Sequence, residues 1–369
     1  MSRPIVYILS KVEKAVAFEW IAEEFLKEDQ EIQFILLNDN FETPLAFFLK
    51  EREVRFYQYG IGTKKNFPIL WIKLVRLLKK IKPQLVHTHL FEASLLGLSA
   101  AKVLGIKKRI YTRHHSTFHH EYFPHAVKYD RWINSLASDI VAISSNVKNV
   151  MLQKEAVKLE KIHIIEHGFN LEEFSNVSQK RIETLLEKYK LERKNIMIGS
   201  IARYINWKGH KYIIRAFEKL YSKNNNFHLI LANANGPDKE LIQKELQRIP
   251  LESYTEISFE EDLFALYQTF DFFVHVPINK QIEAFGQTYV EALAAGVPSI
   301  YTLSGIANDF IVNEANALVV EPNDSMAIER AIKRLMEDEM LRNRLIENGK
   351  KSVNRFDLQY MISKLKKLY

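Results

Sequence analysis

Two kinds of apolar pattern alternate along the chain. The short runs PIVYIL at Pro4, IQFILLN at Ile32, QLVHTHL at Gln84, KRIYTRHH at Lys108 and SDIVAIS at Ser138 are apolar at nearly every position. Each reads as a strand covered on both faces. Between them, over residues 16–26, 69–81 and 93–104, apolar positions return at helical spacing. Strand and helix in strict alternation predict a doubly wound α/β domain with a parallel sheet. The alternation starts afresh with NIMIGSIAR near Asn195, FHLILANANGP near Phe227, DFFVHVPI near Asp271, GVPSIYT near Gly296 and ALVVEP near Ala317. Two Rossmann-like halves are therefore expected, joined by a polar, helix-rich linker around residues 170–190. The last stretch, FDLQYMISKLKKLY, is helical and suited to docking back on the first half. The predicted organisation is 1–175, 176–350 and a terminal helix at 351–369, with the two sheets facing across a cleft. Open α/β sheets bind ligands in the loops after their strands' carboxyl ends, and the site is sought there.

Composition changes this picture little. At 369 residues, 47% hydrophobic and 26% charged, the chain suits a soluble globular protein of two domains. It has no cysteine, which excludes a disulfide scaffold and thiolate metal sites. The first apolar run ends at Ser10 and Lys11, too soon for a secretory leader. The longest uncharged run, residues 292–308, is broken by Gly296, Pro298 and Gly305. A cytoplasmic location is expected. The net charge of +7 favours anionic partners.

The stretch IEAFGQTYVEALAAGVPSI places Glu283 and Glu291 eight positions apart around Phe285-Gly286. Gly286 reads as the turn before a helix over about 287–295, leaving the amides of Gly286, Gln287 and Thr288 open to an anion. A carboxylate on either side of an anion site fits a nucleotide diphosphate sugar, whose phosphates lie between a ribose diol and sugar hydroxyls. The plain alternative is acids drawn to a helix start by its dipole. In SIARYINWKGHKYIIRAF, Arg203 and Lys208 follow the first strand of the second half and can reach one phosphate. Two solvated surface cations are the alternative there.

With these two constellations in view, the chain resembles a retaining glycosyltransferase of family 4, a group with the two-Rossmann GT-B fold. The acid–seven residues–acid motif is met by Glu283 and Glu291 with the tail EALAAGVPSI, and the Arg/Lys pair by Arg203, Lys208 and Gly209. KPQLVHTHL with His87 and His89, YTRHH, DIVAISSNVKNVM and KIHIIEHGFNLEEF match further family segments, so the similarity spans nearly the whole chain. The resemblance implies that Glu291 binds the ribose and Glu283 the donor sugar. It implies that Phe285, Gly286, Gln287 and Thr288 lend amides to sugar and phosphate, and that Arg203 and Lys208 stabilise the departing diphosphate. His114 is the implied functional histidine, with His115 as the fallback. No cofactor and no metal are implied. The donor is a nucleotide sugar, UDP-linked as the commonest case, and the acceptor a glycan or lipid-linked precursor of the cell surface. Rival readings are a catalytically silent nucleotide-sugar binding protein and a sugar-nucleotide epimerase of similar fold.

The first loop, LSKVEKAVAFEW, lacks the glycine pair usual in the family, so Lys11 and Lys14 are the candidates on the acceptor side. TRHHSTFHHEYFPH carries His114, His115, His119, His120 and His125. His115 and His119 are four apart, a ligand spacing, but there is no cysteine or nearby acidic cluster, and Pro124 interrupts the helix. His119 is placed with His115 on the acceptor side. FPILWIKLVRLLKKIKPQL carries Lys73, Arg76, Lys79, Lys80 and Lys82, suiting either a solvated helix edge or contact with an anionic membrane at the inner face of the plasma membrane. No aromatic-basic module for nucleic acid is present.

Overall fold

The computed structural model describes residues 3–13, 16–27 and 30–369. They form two compact units, one reaching to Phe169 and taking in Leu358–Tyr369, the other spanning Asn170–Asp357.

The first unit is built on β1 (Ile5–Ser10), β2 (Ile32–Leu37), β3 (Phe56–Tyr59), β4 (Leu85–His89), β5 (Lys108–Arg113), β6 (Asp139–Ala142) and β7 (Ile162–Ile164). They lie parallel in the order β3-β2-β1-β4-β5-β6-β7. Every residue of β1, β2 and β4 is buried, as the continuous apolar runs require. β3 and β7 lie at the edges and are half-buried, so their weaker apolar signal escapes a reading by runs.

The second unit holds β8 (Ile196–Ile201), β9 (Phe227–Ala232), β10 (Tyr254–Ile257), β11 (Phe272–His275), β12 (Ser299–Tyr301) and β13 (Leu318–Val319). Their order is β10-β9-β8-β11-β12-β13, again parallel. The edge strand β10, YTEI, is the one that strand reading missed here. Residues 170–190 are not a bare linker: helix Gln179–Lys188 buries Ile182, Leu185 and Leu186 within this unit. Its spacing is amphipathic, so burial of one face outweighs the polar composition.

In each sheet the order reverses once, between β1 and β4 and between β8 and β11. Such a switch point leaves a crevice beyond the strand ends.

Helix Leu358–Leu368 packs in the first unit, with Leu358, Met361, Ile362, Leu365 and Leu368 in the same core as Tyr7, Phe25 and Ile165. Gly168 permits the approach: a Cβ there would lie 2.9 Å from the Cα of Leu358. Gln359 Nε2 donates to Glu24 Oε2 at 2.6 Å, and Lys364 Nζ reaches Glu166 Oε2 at 2.6 Å.

Candidate functional site

In the second unit the chain leaves β8 through Ala202 and the exposed Arg203, then makes a short turn, Asn206–Lys208, closed by Gly209 at φ +79°. A Cβ on Gly209 would lie 2.0 Å from the carbonyl oxygen of Val276, just past β11. Only glycine allows this approach, and it joins the two loops at the switch point.

Lys208 Nζ bonds Glu283 Oε1 and lies 4.5 Å from the Trp207 ring centroid. Glu283 is 5% exposed. It also faces His275 Nε2 at 3.1 Å, and its amide donates to Ser304 Oγ at 3.3 Å. Burial alone would raise the carboxyl's pKa, but the Lys208 charge and the His275 hydrogen bond outweigh it and bring it down to about 2. Burial lowers the pKa of His275, so a neutral ring donates its Nε2–H to the carboxylate. Its Nδ1 is buried without a partner.

Gly286, at φ +84°, opens helix Gln287–Ala294, and no side chain caps it. The amides of its first turn therefore lack intrahelical acceptors. Thr288 Oγ1 is buried there without a partner, while Gln287 is exposed. Gly305 (φ +55°) presses on the same segment: a Cβ would lie 2.5 Å from Phe285 O and 2.9 Å from Glu283 Cβ. The Phe285 carbonyl accepts from Ile306 N at 2.9 Å, and its ring meets Phe356 edge-on at 5.9 Å. Glu283 and the helix start are thus held by backbone contacts as well as by charge.

Glu291 lies one turn further and is held differently, accepting from Tyr267 Oη at 2.7 Å. Part of the residue reaches solvent, yet the carboxylate sits deep beside Tyr267 and Tyr301. Burial pushes its pKa up to about 7, against the lowering effect of the Tyr267 hydrogen bond. The two acids of the motif therefore occupy opposite electrostatic settings. Arg203 makes no ion pair among the described residues.

In the first unit His114 follows β5 and is half-buried. Its Nε2 meets His89 Nδ1 at 3.0 Å, and its ring stacks on His167 at 5.6 Å. Burial, followed by neighbouring histidines, holds the pKa of His114 and His89 well below the usual value, so both rings are neutral. His87 links Tyr369 Oη (2.7 Å) to Thr112 Oγ1 (2.8 Å), tying the C-terminal helix to β4 and β5. Lys11 adopts φ +55°, the left-handed conformation glycine usually supplies, and its ammonium pairs with Glu92. Lys14 lies outside the described residues. His115 and His119 do not stand alone: both face the buried carboxylate of Asp130.

Sequence reading missed His275, Tyr267, Glu92 and Asp130. His275 left one trace, a polar residue ending an apolar strand; the others hold their partners through tertiary contacts that no local spacing encodes.

Two doubly wound parallel units, one with a buried acid–lysine pair at its switch point, place the chain in the GT-B class. Two structures of Anabaena HepE, one with UDP and glucose and one with UDP, share the fold at TM-scores of 0.85 and 0.81 and 18% and 19% identity. The first alignment covers 99% of this chain and 98% of that one, and the second covers 100% and 99%. The model of the glycosyl transferases group 1 matches residues 181–352, and that of glycosyltransferase family 4 matches residues 21–173. The capsular polysaccharide biosynthesis glycosyltransferase CapM of Staphylococcus aureus is 30% identical over 313 residues, covering 81% of this chain and 79% of its own. The UDP-Gal:alpha-D-GlcNAc-diphosphoundecaprenol alpha-1,3-galactosyltransferase of Escherichia coli is 24% identical over 307 residues, covering 81% and 78%. The chain belongs to the group 1 glycosyltransferases.

Proposed function

We propose that the chain transfers a sugar, with retention, from a nucleotide diphosphate sugar to an acceptor hydroxyl in cell-surface glycan or glycolipid synthesis. One observation carries the reading: Lys208, bonded to the buried, ionised Glu283, adjoins the uncapped start of helix Gln287–Ala294 at the β8/β11 switch point. An ammonium has three N–H donors, so one bond to Glu283 leaves two for phosphate oxygens. When the bond from the sugar's anomeric carbon to the phosphate oxygen breaks, its electron pair leaves with the diphosphate. Lys208, Arg203 and the amides of Phe285, Gly286, Gln287 and Thr288 meet that charge. Glu283 accepts from sugar hydroxyls and Glu291 from the ribose diol. His114 serves the transfer from the first unit, with His115, His119, Lys11 and Lys14 on the acceptor side. The first unit serves the acceptor and the second the donor, and it is Leu358–Tyr369, not the whole of 351–369, that returns to the first. The transfer step draws on these cations and amides and needs no cofactor or metal.

UDP is the favoured nucleotide, supported by the UDP bound in the HepE structures and by the donor in the Escherichia coli relative's name. That name and CapM's together support a lipid-linked glycan acceptor. Helix Phe67–Ile81 supports membrane contact from the cytoplasmic side. It buries Leu70, Leu74, Leu77 and Leu78 and turns Ile69, Ile72, Lys73, Arg76, Lys79 and Lys80 outward. Among the described residues no helix is long and apolar enough to cross a membrane.

Thermal-shift screening against UDP-, GDP- and ADP-sugars, followed by assay of nucleotide release with polyprenyl-diphosphate glycans, tests the proposal. Stabilisation and acceptor-dependent release are expected. Binding without turnover under any acceptor identifies a silent binding protein, and donor conversion without nucleotide release identifies an epimerase.

A further inference from the structure

A second set of polar groups lies in the first unit, around the segment that follows His114. Arg113, Asp130 and Glu155 are all buried, with side chains 2%, 1% and 0% exposed. The guanidinium meets Glu155 Oε1 at 2.6 Å and Asp130 Oδ1 at 3.2 Å, and also donates to the His115 carbonyl. One buried cation thus faces two buried carboxylates. Such a deficit calls for another positive charge, because an uncompensated charge in a low-dielectric interior is costly.

The groups facing the deficit are ligands. His115 Nε2 lies 3.3 Å from Asp130 Oδ1 and 3.4 Å from Oδ2, and His119 Nδ1 lies 2.7 Å from Oδ2. One ligand atom from each of the three residues falls within 4.8 Å of the others. The imidazoles are 4.0 Å apart between centroids. A tetrahedral site with metal–ligand bonds of about 2.05 Å has edges of roughly 3.3 Å, so the His115–Asp130 edge already matches and the His119–Asp130 edge must open by roughly half an ångström. Asp130 Oδ1 is buried, and its contacts with Arg113 and His115 lack hydrogen-bond geometry. Arg113 is close, but its charge is answered by Glu155, which is held in turn by Asn134 Nδ2 (2.7 Å) and His120 Nε2 (3.1 Å).

We propose that His115, His119 and Asp130 bind a divalent transition-metal ion of zinc-like preference, closing the segment between β5 and helix Val127–Leu136. The ion's open position faces a cavity of about 210 Å³ lined by Phe91, His114, Phe118 and Ile133. Two imidazoles and one carboxylate suit zinc or cobalt and disfavour magnesium, which takes oxygen ligands. The site is separate from the donor machinery and stands whether or not the proposed transfer does.

Tag-free protein titrated with Co²⁺ tests this. One saturable equivalent with the visible absorption of four-coordinate cobalt, displaced by Zn²⁺ and indifferent to Mg²⁺, is expected. Even loss of an outer partner of a metal ligand costs about 10–100-fold in affinity, so removing a ligand itself, as in His115→Gln and His119→Gln, is expected to weaken binding by more than about tenfold. His125→Gln leaves it unchanged. Because substitutions here can disturb folding, Zn²⁺ protection of His115 and His119 from carbethoxylation, mapped by mass spectrometry on the unsubstituted protein, gives an independent readout. Absence of saturable uptake, absence of protection, or uptake unchanged in both folded variants overturns the assignment.

Discussion

Lys208 and Glu283, 75 residues apart in sequence, form one ion pair at the ends of adjacent strands, with side chains 15% and 6% exposed. Removing one partner of so enclosed a pair leaves the other charge stranded, at a cost of about 3–5 kcal/mol. Lys208→Ala is therefore expected to lower stability by about that much in chemical denaturation. Adding Glu283→Gln should recover a large part of the loss, since the neutral amide needs no counter-charge. Lys208→Ala should also slow transfer by about 100-fold, as loss of one donor to a developing oxyanion does. Additive stability effects in the double variant, or a rate change below about tenfold, would show that the two act separately.

Glu291 carries a pH signature that Glu283 does not. Its carboxyl is raised from 4.5 to about 7, so between those values the folded protein keeps a proton that the unfolded chain has released. The stability from this group is complete below 4.5 and disappears as pH rises through about 7. Subtracting the stability of Glu291→Gln from that of the unsubstituted protein should give a difference that falls across this window. Nucleotide-sugar affinity should move the opposite way, rising with pH toward a plateau above about 7, because the ionised carboxylate accepts both ribose hydroxyls. Calorimetry with an intact nucleotide sugar isolates the effect, since its diphosphate does not titrate in this range. A flat profile, or one unchanged in Glu291→Gln, would separate Glu291 from the ribose.

Much of this arrangement is legible in sequence because the backbone itself encodes it. Gly286 before an apolar helix, Gly209 after a strand and continuous apolar runs for buried strands are local statements, and the structure repeats them at β1, β8 and Gln287–Ala294. Edge strands such as β3 and β10 escaped because half-burial breaks the apolar run. The electrostatics were the least legible part. Glu283 and Glu291 look equivalent as a spaced pair, yet Lys208 and His275 depress one while burial beside Tyr267 raises the other. The acid that completes the His115/His119 set comes from a neighbouring helix, invisible to a search for nearby acids.

His114 tests the division of labour between the units. Its ring is neutral, and His89 and His167 orient it. His114→Ala is expected to reduce turnover by about 100-fold, within the range for a group acting on a proton in the transition state. Nucleotide-sugar affinity should stay unchanged, since the donor groups lie in the other unit. An equal loss in affinity and turnover would place His114 on the donor instead.

Gly209 offers the most direct test of the loop contact behind the Lys208 position. Its φ of +79° would be strained for alanine at any site, and here a Cβ would also meet Val276 O at 2.0 Å. Gly105 provides the comparison: its φ is +71°, but a Cβ there meets nothing within 4 Å. Gly105→Ala should cost only the left-handed strain, about 1–2 kcal/mol, and leave activity intact. Gly209→Ala should cost more, because the turn must move off Val276, carrying Lys208 away from Glu283. A shift of about 1 Å in a catalytic group can cost about 100-fold in rate, so transfer should fall far more than donor binding. Equal behaviour of the two alanine variants in denaturation and in turnover would mean that the Gly209–Val276 contact does not set the position of Lys208.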